Sequence, residues 1–240
     1  MPAFAPGGAG SFNPNLIRDG LEGGNLRLTA NDSGLTFGAG TIAAPVVHDL
    51  VVHVSHDIRL EDGFGFVNDN SGRIALAAGG AFENLSGDAA LQVADGRWLV
   101  YSGRPDENIG DIGILPWDFI VYRAEYAPSD PFPAALPSGS GLIYDVIPEV
   151  VIDDVGGIYG DSGFLPGHEV RVAGVPVSAA DFGFAVTGIA LDPDAVTFSG
   201  AGLVAAGVYP GAFSASLAPA TVSGIEVAGG TLTIDPAVIL

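Results

Sequence analysis

The sequence predicts an all-β protein: a right-handed parallel β-helix (solenoid) stub followed by a small β-sandwich domain. Three observations carry this. Short apolar-x-apolar segments recur along residues 24–98, each bounded by Gly, Asn, Asp or Ser, which tolerate tight turns. No stretch has helical periodicity, and 36 Gly and 17 Pro in 240 residues favour many short strands. The pattern then changes at GRWLVYS, Gly96 to Ser102, where an aromatic, Pro-punctuated passage leads into a second kind of β pattern. The expected division is therefore 1–126 (terminal coils with an aromatic cap), 127–148 (Pro-rich linker) and 149–240 (sandwich).

The repeating segments are GNLRLTA (24–30), SGLTFGA (33–39), DLVVHVS (49–55), HDIRLED (56–62), GRIALAA (72–78), GAFENLS (80–86) and AALQVAD (89–95). One pattern repeats without hairpin dipeptides such as Asn-Gly, which favours stacked coils about 4.8 Å apart over a sandwich of similar composition. At roughly 20 residues per coil the region holds about four or five. In GRWLVYS, Arg97, Leu99 and Tyr101 alternate with Trp98, Val100 and Ser102. Both faces carry large groups, which suits a strand covered on both sides with Trp98 in a structural role.

GRPDENIGD (103–111) reads as a polar loop. Trp117, Phe119, Tyr122 and Tyr126 then supply an aromatic cap for the open end of the coils, and APSDPFPAALPSGSG (127–141) an extended linker. An ordinary long loop is the plainer reading of both. Beyond 149, HEVRVAGVPV, GFAVTGIAL, AVTFSGAG, FSASLAP, TVSGIEVAG and GTLTIDPAVIL alternate or nearly so. Six to seven strands with turns every 8–12 residues fit a sandwich of immunoglobulin-like size.

The 28 acidic residues face 8 basic ones, all Arg, for a net charge of −20. Such a field opposes nucleic acids and anionic membranes, and no apolar run reaches a membrane span. The chain has no Cys, so it has no disulfide, cysteine nucleophile or thiolate metal site. That fits the cytosol, or passage across an outer membrane in an unfolded state. MPAFAPGGAGSFNPN has neither a basic nor an apolar leader region, so no signal peptide is expected there. An exported form would then be a piece of a longer protein.

The candidate chemistry is thin. His48, His53 and His56 suggest a metal cluster, but on strands His53 and His56 face opposite sides. His168 follows Pro166-Gly167 and reads as a loop residue. GDSG at 160–163 is similar to the nucleophile motif of trypsin-like proteases, yet Ser162 lies in a turn pattern without the required His and Asp context. Glu61-Asp62, Asp153-Asp154 and Asp192/Asp194 could serve a glycosidase or offer oxygen ligands to Ca²⁺, but 28 acids produce such pairs by chance. No catalytic, cofactor or metal site is expected.

GRWLVYS, preceded by GAFENLSGDAALQVAD and followed by a polar loop and aromatics, closely resembles a junction in filamentous-haemagglutinin-like adhesins, the exoproteins of two-partner secretion systems. In that family the phrase closes the β-helix, so the resemblance implies a structural junction at Arg97, Trp98, Tyr101, Trp117 and Tyr122. GLIYDVIPEV (141–150) resembles the family's linker strand. Residues 158–236 resemble its MBG/YDG-type repeat domain, through the Tyr159-Gly160-Asp161 turn, Ala206-Gly207-Val208-Tyr209, and GTLTIDPA with its Pro236. The resemblance implies a secreted or cell-surface, non-enzymatic adhesin or matrix fragment, whose partners are a glycan or protein on a host or neighbouring cell. Self-association through an open coil end is the further expectation. A carbohydrate-active β-helix enzyme, such as a polysaccharide lyase, is the alternative, against which the scattered Arg and the net charge argue.

Overall fold

The computed structural model describes residues 10–11, 24–44, 48–68, 71–103 and 115–237. The chain is all-β with parallel sheets, and the described residues hold no α-helix. It divides into two compact units, Met1–Val146 and Ile147–Leu240.

In the first unit the strands form three parallel stacks. Leu26–Ala30, Leu50–Val54, Ile74–Ala78 and Trp98–Ser102 make the first, with Leu26 opposite Leu50, Leu50 opposite Ile74, and Ile74 opposite Trp98. Residues 24 apart are thus neighbours on successive strands. Leu35–Phe37, Ile58–Leu60 and Phe82–Asn84 make the second stack, and Gly40–Ala44, Phe64–Asn68 and Leu91–Val93 the third. Each turn of sequence therefore supplies three strands, and the step exceeds the roughly 20 residues expected. GTIAA and FGFVN, which belong to the third stack, carry Gly and border on turn residues, so the sequence pattern hid them among the spacers. Gly10–Ser11 pairs with Leu35–Thr36, so the second stack continues ahead of residue 24.

The repeat persists because like residues return to like positions. Leu35, Ile58 and Phe82 are aligned and buried, as are Leu50, Ile74 and Trp98. Burying each such side chain stabilises the unit by about 1.5–3 kcal/mol. Asn84 enters the column of Phe37 and Leu60 fully buried. Its Nδ2 donates to the Gly87 carbonyl at 2.9 Å and its Oδ1 accepts from the Ser86 N–H at 3.0 Å, so the amide is satisfied internally. Gly96 lies so close over the Gly72 carbonyl that a Cβ would overlap it, which explains the glycine that opens GRWLVYS.

The end of the first stack is built out of chain order. Trp98–Ser102 pairs with Gly141–Tyr144, and Phe119–Tyr122 pairs with the other edge of that same later strand. Gly141 passes so near Phe119 that a Cβ would overlap the ring, and Tyr122 stacks on Tyr144 with centroids 5.5 Å apart. Residues 127–148, expected as a linker, are therefore largely part of this unit. The strand at 141–144 is fully buried and Phe132 is 8% exposed, because apolar and hydrogen-bonding partners on the first stack capture the Pro-rich chain. The polar loop expected at 103–111 lies outside the described residues except for Gly103.

In the second unit Pro148–Ile152 pairs antiparallel with His168–Val172 and parallel with Glu226–Ala228. His168–Val172 returns through the two-residue turn Ala173-Gly174, both at positive φ, into Val175–Val177. A second sheet places Leu232–Asp235 between Val155–Ile158 and Gly207–Tyr209, and a third pairs Ala185–Leu191 with Phe213–Ala218. AVTFSGAG contributes a single bridge, Phe198 with Val204, instead of a strand. Val150, Ile152, Val170, Phe182, Phe184, Phe213, Leu232 and Ile234 are buried.

Candidate functional site

The most elaborate surface feature is on the first unit, where residues 124–137 lie as a strap across the outer face of the first stack. Strand pleating sends Leu99 and Tyr101 to that face and Trp98, Val100 and Ser102 to the other, and all five are buried. Val51, Ala75, Ala77, Leu99, Tyr101, Phe119 and Ile143 form one apolar cluster with Phe132, against which Tyr126 and Leu136 also pack. The Pro-rich strap has few internal backbone bonds, so its carbonyls seek outside donors. Arg27 donates to the Pro128 carbonyl at 2.5 Å and the Tyr101 hydroxyl to that of Pro131 at 3.1 Å. Arg97 donates to the carbonyls of Pro133 and Pro137 at 3.3 and 3.2 Å. Burial pushes the Tyr101 phenol up to about 12, with Arg97 pulling it the other way.

The preceding turns carry a ladder at the same 24-residue step. The Asp49 N–H donates to Asn25 Oδ1 at 2.9 Å, and the Arg73 N–H to Asp49 Oδ1 at 3.0 Å. The Arg73 guanidinium grips both Asp49 oxygens, at 3.1 and 2.6 Å, and lies over the Phe132 ring with 4.1 Å to its centroid. Hydrogen bonding to Asp49 holds the Arg73 guanidinium above its ordinary range. Arg27, Asp49, Arg73, Asp130 and Phe132 border a cleft of about 250 Å³. A shallower groove of about 600 Å³ runs past Leu91, Gln92, Trp98, Pro116 and Ser140.

The expected junction residues separate by role. Trp98 is 2% exposed and its backbone N–H donates to Ser140 Oγ at 3.1 Å. Tyr122 is buried in the stack with Tyr144, and both phenols are raised far above their ordinary range by desolvation. Arg97 and Tyr101 fasten the strap, and Trp117 is half-buried beside Asp118, whose carboxylate accepts from the Ser140 N–H at 2.7 Å. Sequence reading placed Tyr126 in a cap for the coil end, whereas it packs on this outer face, and it missed Phe132 and Ser140 as partners here. The spacing Asn25, Asp49, Arg73, Arg97 was the available signal.

The domain-motif residues fold the second unit. Asp161 Oδ2 accepts from the Ile158 N–H at 2.8 Å across the Tyr-Gly-Asp turn, in which Gly160 has φ 108°. The Tyr159 hydroxyl meets Ser199 Oγ at 3.1 Å, and the Tyr209 hydroxyl donates to the Ala205 carbonyl at 2.8 Å. Pro236 is exposed just beyond the Leu232–Asp235 strand.

The remaining candidates are dispersed. His53 lies under the strap with its ring 4.8 Å from that of Tyr126, His56 Nδ1 is 2.9 Å from Ser55 Oγ, His48 is half-buried and His168 exposed. Ser162 is exposed after the Asp161 turn. Of the acid pairs, Glu61 is tied to Arg59 at 2.8 Å, Asp154 Oδ1 accepts from the Thr231 N–H at 2.6 Å, and Asp192 Oδ1 from the Asp194 N–H at 3.0 Å. Among the described residues no three His, Cys, Asp or Glu side chains gather where a metal ion could be held. None of their helices is long and apolar enough to cross a membrane. No family model, curated protein or solved structure matches the chain.

Proposed function

We propose that this chain is a non-enzymatic segment of a secreted or surface-attached bacterial adhesin of the filamentous-haemagglutinin-like kind. The first unit is the closing end of a right-handed β-helical stalk, and the second a β-sandwich that serves as spacer or contact module. The observation that carries this reading is the step of 23 to 25 residues shared by three parallel stacks. A repeat that adds one layer of apolar columns per turn makes length, and a stalk is what length is for. The strap fits the same reading, since it covers one face near the end of a structure whose repeats would otherwise lie bare. Of the acids noted in the sequence, Asp154, Asp161 and Asp192 accept backbone N–H groups and Glu61 is paired with Arg59, and that favours a structural role over hydrolysis or elimination. The partners are a glycan or protein on a neighbouring or host cell.

The test offers the purified chain, coupled to fluorescent beads, to epithelial cells, bacterial cells and an array of glycans. In parallel the free chain is incubated with pectin and with alginate while ultraviolet absorbance follows unsaturated product. Saturable binding without product supports the adhesin. Product formation overturns it in favour of a lyase, and the absence of binding to every surface removes the contact role.

A further inference from the structure

We propose that the strap is an acid-sensitive cover: protonation of His53 beneath it loosens residues 124–137 and bares the apolar outer face of the first stack. The His53 ring is half-buried and lies 4.8 Å from the Tyr126 ring, which in turn meets Tyr101 edge-on at 5.2 Å. The Tyr126 hydroxyl is buried and has no hydrogen-bond partner among the described residues. This end of the strap is therefore held by ring contacts, by the bond from Arg27 to the Pro128 carbonyl and by the Ala124 N–H, which donates to the Tyr144 carbonyl at 3.2 Å.

Among the described residues, the surroundings offer a proton on His53 no counter-charge. Arg27 on the preceding strand is a cation, and the neighbours in register with His53 are Thr29 and Ala77. From the strap comes the Tyr126 phenol, and beyond it lies Tyr101. Glu125 is exposed, Asp49 is gripped by Arg73, and the charge of Asp130 bears on Arg73 and Tyr101. Burial, and then the Arg27 charge, hold the imidazole below its usual range. The closed strap thus prefers neutral His53, while the open strap lets it titrate near its ordinary value of about 6.5. Closure is fully favoured above that pH and weakens as the pH falls through it towards the lowered value. What opening uncovers is apolar: Ala75, Ala77, Leu99 and Ile143 are at most 1% exposed.

Hydrogen exchange read by mass spectrometry, with rates corrected for the intrinsic effect of pH, tests this on the full chain. Between pH 7.5 and 5 the wild-type protection of residues 124–137 should fall several-fold, while that of Ile74–Ala78 holds. His53→Phe keeps a ring against Tyr126 without a titrating group, and His53→Gln serves if the phenylalanine fails to fold. Either should leave strap protection independent of pH, whereas His56→Gln should behave as wild type. Wild-type protection that does not change, an equal loss in the His53 variants, or an equal loss at Ile74–Ala78 would each overturn the proposal.

Discussion

Replacing Trp98 with alanine removes the largest side chain from the buried column of the first stack. The indole is 2% exposed and aligned with Ile74 and Leu50 on the two strands before it. Its own strand is buried at all five positions, so little nearby chain is free to collapse into the space. Truncation of a buried tryptophan costs about 3–5 kcal/mol, and the backbone bond from residue 98 to Ser140 Oγ survives the substitution. A unit of this size loses about 2–4 °C in Tm per kcal/mol, so the expected fall is about 6–20 °C. The assay is thermal unfolding followed by tryptophan fluorescence. The chain has two tryptophans, Trp98 and Trp117, both in the first unit, so in the variant Trp117 still reports that unit alone. Circular dichroism on the same sample follows both units, and the second should melt where it does in the wild type. A variant whose first-unit Tm stays within about 2 °C of wild type would refute the burial argument. Loss of a ligand at unchanged Tm would make Trp98 a binding platform instead.

Four further outcomes are expected. Gly141→Val would drive a side chain into the Phe119 ring and should destabilise the first unit by several kcal/mol, while Gly156→Ala, with open space around it, should leave the Tm of the second unit nearly unchanged; parallel melts compare them. Tyr209→Phe deletes the bond to the Ala205 carbonyl and should cost the second unit about 1 kcal/mol, measured by urea unfolding with circular dichroism. The Tyr101 phenol, pushed up to about 12, contributes stability that is complete below the unfolded value of about 10 and lost as pH rises towards 12; Tyr101→Phe should flatten that alkaline decline of up to about 1.4 kcal/mol per pH unit. Light scattering across a salt series should detect self-association that strengthens with salt, because screening relieves the −20 charge while apolar edge contacts persist, and association that weakens with salt would point to ion pairing instead.

Local pattern was enough to read the strands of the first and second stacks, since alternation and Gly, Asn or Asp boundaries are properties of short windows. The same windows marked Trp98–Ser102 as covered on both faces, and all five residues are buried. They concealed Gly40–Ala44 and Phe64–Asn68, whose glycines and polar neighbours read as spacer until strands 24 residues away supplied their partners. They also turned AVTFSGAG into a strand that is only a bridge. The domain-motif tyrosines were visible as residues, but not the work of their hydroxyls, because Ser199 lies 40 positions from Tyr159.

By itself the sequence determined the all-β character, the acidic surface, the absence of thiol chemistry and the change of pattern at Gly96–Ser102, because composition and near-neighbour alternation decide these. Tertiary structure alone decided what becomes of residues 124–144. Proline denies that chain most of its own hydrogen bonds, so by local rules it is free linker. Arg27, Arg97 and Tyr101 provide the missing donors from strands 30 or more residues away, and the outer face supplies an apolar bed for Phe132. The strand at Gly141–Tyr144 then enters between two earlier ones because each presents an unpaired backbone edge to it. Neither the donors nor the edges are local to the segment they hold, and that distance along the chain is why the strap could be seen only in three dimensions.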